Sequence, residues 1–151
     1  MIKFEIVDTP HVQYGQTQFK LPVRATQHSA GYDFYSPIDV TIEPQSSAMI
    51  WTNIKARFDR NIVLILSVTS GMGKRGVMLA NTIGVIDSDY YGNINNDGNI
   101  GIRLYNYTDT PYIIHTGDKI GQGIFLPFLT VDDEQTITNV RVGGFGSTDK
   151  Q

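Results

Sequence analysis

The sequence predicts a single all-β domain of the jelly-roll or barrel/sandwich kind with a flexible C-terminal tail. Three observations predict it: apolar residues alternate with polar ones, turn formers recur at short intervals, and no apolar stripe of helical period persists for three turns. Ile2, Phe4 and Ile6 open the chain as a half-buried strand. Val40 with Ile42, and later Ile100, Ile102 and Leu104, repeat that period of two. Ile62–Leu66 is a continuous run of branched side chains and reads as a strand covered on both faces. Ile124–Phe128 reads the same way, so both runs are expected near the core. Ser36-Pro37, Asp97-Gly98 and Thr116-Gly117-Asp118 supply turns between these segments. After Gly71 the sequence admits one short helix at most, because glycines at 71, 73 and 76 weaken it. The closing VGGFGSTDKQ joins small, flexible residues to one phenylalanine and cannot build a core. Residues 1–140 are therefore expected to form the β domain, and 141–151 a tail that is mobile unless captured.

Bulk properties narrow the classes of function. A chain of 151 residues supports one domain with a real core. The net charge of −3 argues against a polynucleotide partner, which would need a basic stripe to neutralise phosphates. The absence of cysteine excludes disulfides and thiolate metal sites. MIKFEIVDTP lacks the apolar run of a signal peptide, and Ile62–Leu66 is too short to span a bilayer. A cytoplasmic protein without a membrane partner is expected by elimination.

Several motifs need weighing. Gly71-Met-Gly-Lys-Arg-Gly76 matches G-x-G-x-x-G after a predicted strand, but a dinucleotide site needs a long helix next, and Val77-Met-Leu79 follows instead. Asn93, Asn95, Asp97 and Gly98 hint at a calcium loop, yet its twelfth position is Leu104 where a bidentate glutamate is required. A solvated hairpin tip is expected there. His11, His28 and His115 are isolated and give no zinc pattern. Asp87 follows the apolar Gly84-Val-Ile86 and precedes Ser88-Asp-Tyr90, a placement that suits a general base. Spacing alone favours an ordinary Asx turn.

Order along the chain reverses that preference. Ala30-Gly-Tyr-Asp-Phe34, Ser70-Gly71, Asn81 through Tyr90, Gly117-Asp-Lys-Ile-Gly-Gln122 and Gly143-Gly-Phe-Gly-Ser-Thr148 occur in series. This series resembles the five-motif signature of the homotrimeric dUTPases, which include bacteriophage and Gram-positive members. The resemblance implies a β jelly roll, a homotrimer with active sites where three subunits meet, and hydrolysis of dUTP to dUMP and pyrophosphate. That activity limits uracil incorporation into DNA and supplies dUMP for dTMP synthesis. It further implies Mg2+ bound mainly through the triphosphate, without direct protein ligands, and in-line attack of water on the α-phosphorus.

Residue by residue, Asp87 matches the carboxylate that activates water, and Tyr90 the aromatic that excludes a 2′-hydroxyl. Asn81 matches the amide of the substrate hairpin that reads uracil with nearby backbone groups, Gly84 and Ile86 among them. Ser70, with Gly71, matches the hydroxyl near the α,β-bridging oxygen, and Gln122 the amide near the α-phosphate. Asp33 matches a carboxylate reached through metal-bound water or a phosphate-binding neighbour. Arg141 matches the arginine that grips the γ-phosphate, standing four residues before Phe145 where many members have five. Phe145 matches the tail aromatic that stacks on uracil, with Gly146 and Ser147 beside it in the substrate-binding set.

Two departures stand out. Thr69 occupies the position of a usual arginine, for which Lys74 or Arg75 would compensate. Ile94-Asn-Asn-Asp-Gly98 is an insertion expected to extend a hairpin away from the chemistry. Three alternatives stay open: a dCTP deaminase of the same superfamily, an idle binding module that captures a regulatory protein, and a virion structural protein.

Overall fold

The computed structural model describes residues 1–15, 18–146 and 148–149. Their strands are β1 (Lys3–Ile6), β2 (Val23–Arg24), β3 (Tyr32–Tyr35), β4 (Val40–Ile42), β5 (Ser46–Trp51) and β6 (Ile54–Arg57). Then follow β7 (Ile62–Ser67), helix α1 (Ser70–Lys74), β8 (Val77–Leu79), β9 (Gly84–Ile86), β10 (Gly101–Asn106), β11 (Tyr112–Ile114) and β12 (Lys119–Pro127). Single 3-10 turns lie at Thr9–His11 and Ser88–Tyr90.

The largest sheet has the order β2-β3-β12-β7-β9, and a second has the order β5-β10-β8. β1 pairs with β6 and β11 with β4, and every pairing is antiparallel. No sheet closes into a barrel among the described residues, so the all-β expectation takes its open, jelly-roll form.

Alternation places the core. Leu64 and Leu66 of β7 meet Phe34 and Ile120 from the large sheet, while Ile50, Ile102 and Leu104 face inward from the second. Burying each such side chain stabilises the fold by roughly 1.5–3 kcal/mol. Phe125 anchors one end, its ring 5.5 Å from that of Phe4 and 5.4 Å from that of Phe58. The expected short helix is α1, capped by Thr69, whose Oγ1 accepts the Met72 N–H at 3.3 Å.

Three expectations change. Ile2 and Ile6 are exposed rather than half-buried: they share a face with Phe4, but only Phe4, between them, reaches the aromatic cluster of Tyr32, Phe34 and Phe125. Leu126 and Phe128 are also exposed, since the end of β12 runs past the aromatic cluster that covers Phe125. The segment read as a substrate hairpin joins two sheets instead: Leu79 of β8 pairs with Leu104, whereas Gly84 of β9 pairs with Leu66. Residues 81–83 thus form a crossing, and β9 is left as the edge strand of the large sheet.

Candidate active site

An edge strand presents unpaired backbone donors and acceptors along its open side. At the edge formed by β9, a pocket of about 170 Å³ is lined by Asn81, Gly84, Ile86, Asp87 and Tyr90. Arg103 of β10 and Arg141, Gly144 and Phe145 of the tail also line it. Its volume lies below the roughly 300–1,000 Å³ of most small-molecule sites, in keeping with tail residues lying inside it.

Asp87 follows β9 and leads into the turn Ser88–Tyr90; its side chain is 56 % exposed at the mouth of the pocket. Arg141 Nη2 lies 2.5 Å from Asp87 Oδ2, and Arg141 Nε 2.7 Å from Asp89 Oδ1. The guanidinium expected at a terminal phosphate therefore bridges two carboxylates. Tyr90 is buried, and burial pushes its phenol above the ordinary range against the opposing effects of Asn96 and Arg141, so the hydroxyl stays protonated at neutral pH. Phe145 sits edge-on to Trp51 with centroids 5.4 Å apart. A Cβ on Gly144 would come within 2.7 Å of Tyr90 Cε2, so only glycine lets the tail lie on that ring.

Asp33, Ser70, Gly71 and Gln122 are placed elsewhere. Gln122 pairs with Asp33 on one side and Ser67 on the other, in a row across β3, β12 and β7, and donates from Nε2 to the Val68 carbonyl at 3.3 Å. Asp33 is buried and ion-paired with Lys119 at 2.6 Å, which holds the Lys119 ammonium above its usual range. Ser70 and Gly71 begin α1 at the same end of the sheet. None of these four lines the Asp87 pocket of its own chain. Gly146 is exposed and does not line it either, and Ser147 lies outside the described residues.

Beside this row, a separate cavity is lined by Thr69, Arg75, Tyr112 and Lys119. Arg75 is held there by the Tyr112 hydroxyl at 3.0 Å and lies over the same ring. Lys74 does not line it.

The segment 93–99 contradicts the expected solvated tip pointing away from the chemistry. Asn93, Asp97 and Asn99 are buried, and the segment folds under Tyr90. The cause is long-range pairing: Lys55 of β6 reaches Asp97 at 2.6 Å and Asp8 at 3.2 Å, while Asn99 Oδ1 accepts from the Asn53 N–H. Buried amides with partners of this kind are satisfied without solvent.

Sequence reasoning missed Arg103, Trp51, Asn96 and Asn99. Arg103 was detectable as a polar residue between the inward Ile102 and Leu104 on an alternating strand, so its side chain had to face outward. Trp51 carries no local signal, since it meets Phe145 from far away in sequence, while Asn96 and Asn99 lie six and nine residues from Tyr90 in a run that reads as a solvated turn.

A family model described as dUTPase matches residues 17–149. The deoxyuridine 5'-triphosphate nucleotidohydrolase of Lactococcus lactis is 39 % identical over 147 residues, covering 96 % of this chain and 95 % of its own. The crystal structure of the dUTPase from Streptococcus mutans is 36 % identical with a TM-score of 0.73, covering 85 % of this chain and 98 % of its own. A variant dUTPase from phage phi11 of S. aureus, whose structure reveals the coordination of a structural Mg(II) ion, shares the fold at a TM-score of 0.69 and 22 % identity. It covers 90 % of this chain and 96 % of its own.

Proposed function

The chain belongs to the dUTPase family, and from that premise we propose that it hydrolyses dUTP to dUMP and pyrophosphate, with Asp87 activating the attacking water. The observation that carries this reading is a water-accessible carboxylate standing at the mouth of a pocket between a bare strand edge and a buried tyrosine.

Uracil presents an acceptor, a donor and a second acceptor along one edge. The open side of β9 from Gly84 to Ile86 and the Asn81 amide offer matching groups, and cytosine would leave them mispaired. The Tyr90 ring packs on deoxyribose and excludes a 2′-hydroxyl. Asp87 accepts a proton from water as the oxygen approaches the α-phosphorus. Before that step Arg141 exchanges its carboxylate partners for the γ-phosphate, a more highly charged acceptor whose oxygens also suit a guanidinium fork. Phe145 and Gly146 then close over the base.

Ser70, Gly71 and Gln122 serve the phosphates, and their separation from Asp87 within one chain supports a homotrimer in which one subunit completes another's site. Among the described residues no three acidic or histidine side chains cluster to hold a metal, and Asp33 already pairs with Lys119. That donor set fits a magnesium ion carried by the triphosphate and touched by Asp33 through water. When bound, magnesium neutralises the phosphates and aligns them for in-line attack.

The test offers the purified protein dUTP, dCTP, dTTP and UTP separately with magnesium, and measures pyrophosphate, monophosphate and ammonia. dUMP and pyrophosphate from dUTP alone are expected. Ammonia from dCTP, or no product from dUTP, overturns the proposal.

A further inference from the structure

Segment 93–99 has no part in the reaction just described, yet it encloses the hydroxyl of the residue that reads the sugar. Tyr90 Oη donates to the Asn99 carbonyl at 2.7 Å and accepts from Asn96 Nδ2 at 2.7 Å. The direction of the second bond is fixed by the other end of the amide. Asn96 Oδ1 accepts from the Gly98 backbone N–H at 3.1 Å and from Asn93 Nδ2 at 2.7 Å. A backbone N–H only donates, so Nδ2 must be the atom that faces the phenol.

Asn93 locks the segment to the same tyrosine from below, donating to the Tyr90 carbonyl at 2.8 Å and accepting the Asn95 and Asn96 N–H groups. Gly98 completes the fit: its φ is +84°, and a Cβ there would stand 2.8 Å from the Tyr90 carbonyl oxygen. The buried Lys55–Asp97 pair ties this assembly to β6.

We propose that Asn96 is a positioning residue for sugar selection, clamping the Tyr90 hydroxyl so that the ring stays where a 2′-hydroxyl would collide with it. The inference rests on the dUTPase reading of the pocket. A ring held at both its proton and its lone pair resists rotation about Cα–Cβ, and steric exclusion needs placement to within about half an ångström. Without Asn96 the ring gains room to tilt and admits the ribonucleotide. The deoxynucleotide, which needs no such exclusion, is bound and hydrolysed much as before. Loss of a merely structural group would instead lower stability or affect both nucleotides alike.

Binding of the non-hydrolysable α,β-imido analogues of dUTP and UTP to the full-length protein, measured by calorimetry with magnesium, tests this independently of catalysis. The wild type is expected to prefer the deoxy analogue. Asn96→Ala should shrink that preference about three- to tenfold, the worth of one hydrogen bond, chiefly by tighter binding of the ribo analogue. Tyr90→Phe keeps the ring, removes the clamped atom and leaves the segment's other bonds intact, so it should shrink the preference similarly even if Asn96→Ala does not fold. The double variant should be no worse than either single one. An unchanged preference in folded Asn96→Ala or in Tyr90→Phe, or additive effects in the double variant, overturns the clamp while leaving the dUTPase reading intact. A wild type without deoxy preference overturns both.

Discussion

Arg141 lies between Asp87 and Asp89, so one guanidinium neutralises the carboxylate assigned to water activation. If its catalytic partner is the terminal phosphate, Arg141→Ala should raise KM for dUTP roughly ten- to a hundredfold, as loss of charge-assisted bonds does, and change kcat less. Initial rates over a range of dUTP concentrations check this, and an unchanged KM would separate Arg141 from the substrate. Thr69 stands where the family resemblance leads us to expect an arginine, and the structure divides the two candidates for its replacement: Arg75 shares a cavity with Thr69, while Lys74 does not. Arg75→Ala should therefore raise KM about tenfold, for one lost phosphate contact, and Lys74→Ala should leave it as it was. Equal behaviour of the two variants would end the compensation idea. At this scale much was legible in the sequence, because Asp87, Tyr90 and Asn81 lie close along one segment and meet in one pocket. Trp51 was not, since only the fold brings it against Phe145, whereas the alternation of β10 already turned Arg103 outward.

The segment 93–99 shows what local reading misses at the level of elements. Asparagine, aspartate and glycine in a run suggest a solvated turn, but Asp97 and Asn99 are met by Lys55, Asp8 and Asn53 from distant strands and turns, while Asn93 and Asn96 bond to Tyr90 and to each other. Likewise, nothing in residues 77–86 reveals that β8 and β9 join different sheets; that choice is made by partners in β10 and β7. The alternating strands were legible because one buried face imposes a period of two. The Lys55–Asp97 pair carries a prediction about pH. Burial opposes both charges, yet their mutual hydrogen bond prevails: Asp97 is held below its ordinary carboxylate range and Lys55 above its ordinary ammonium range. The depressed aspartate contributes stability that is present above its unfolded value of about 3.9 and is lost as pH falls through the lower folded value. The raised lysine contributes stability that is present below about 10.4 and is lost as pH rises through the higher folded value. Asp97→Asn removes the shorter of the two carboxylate partners of Lys55 and leaves Asp8, so it should lower Tm at pH 7 by roughly 4–8 °C, equivalent to about 2 kcal/mol for one lost charge-assisted bond. It should also flatten the fall in Tm below pH 4. A calorimetric scan against pH reads both, and an unshifted Tm at pH 7 would show that the pair is dispensable.

Across the whole molecule, the residues assigned to uracil and sugar lie at the β9 edge together with Arg141, while the other residues assigned to phosphate, Ser70, Gly71 and Gln122, lie at one end of the large sheet and around α1. If one site draws on both groups, the homotrimer that the family resemblance implies would supply the second group from a neighbouring chain, and light scattering should then give about three times the 16.8 kDa of one chain. Co-expressed Asp87→Asn and Gln122→Ala chains, each inactive alone, should regain about a quarter of wild-type activity. In random mixed trimers that is the fraction of sites drawing both intact residues from different subunits. A monomer, or mixed trimers without recovery, would contradict the shared site. The most direct test of the account as a whole is dUTP turnover by Asp87→Asn beside the wild type, with dUMP formation and imido-analogue binding measured on the same preparations. The account predicts efficient dUMP formation by the wild type, a loss of at least about a hundredfold in kcat for the variant, and binding within a few-fold of wild type. Near-normal turnover by Asp87→Asn would contradict it.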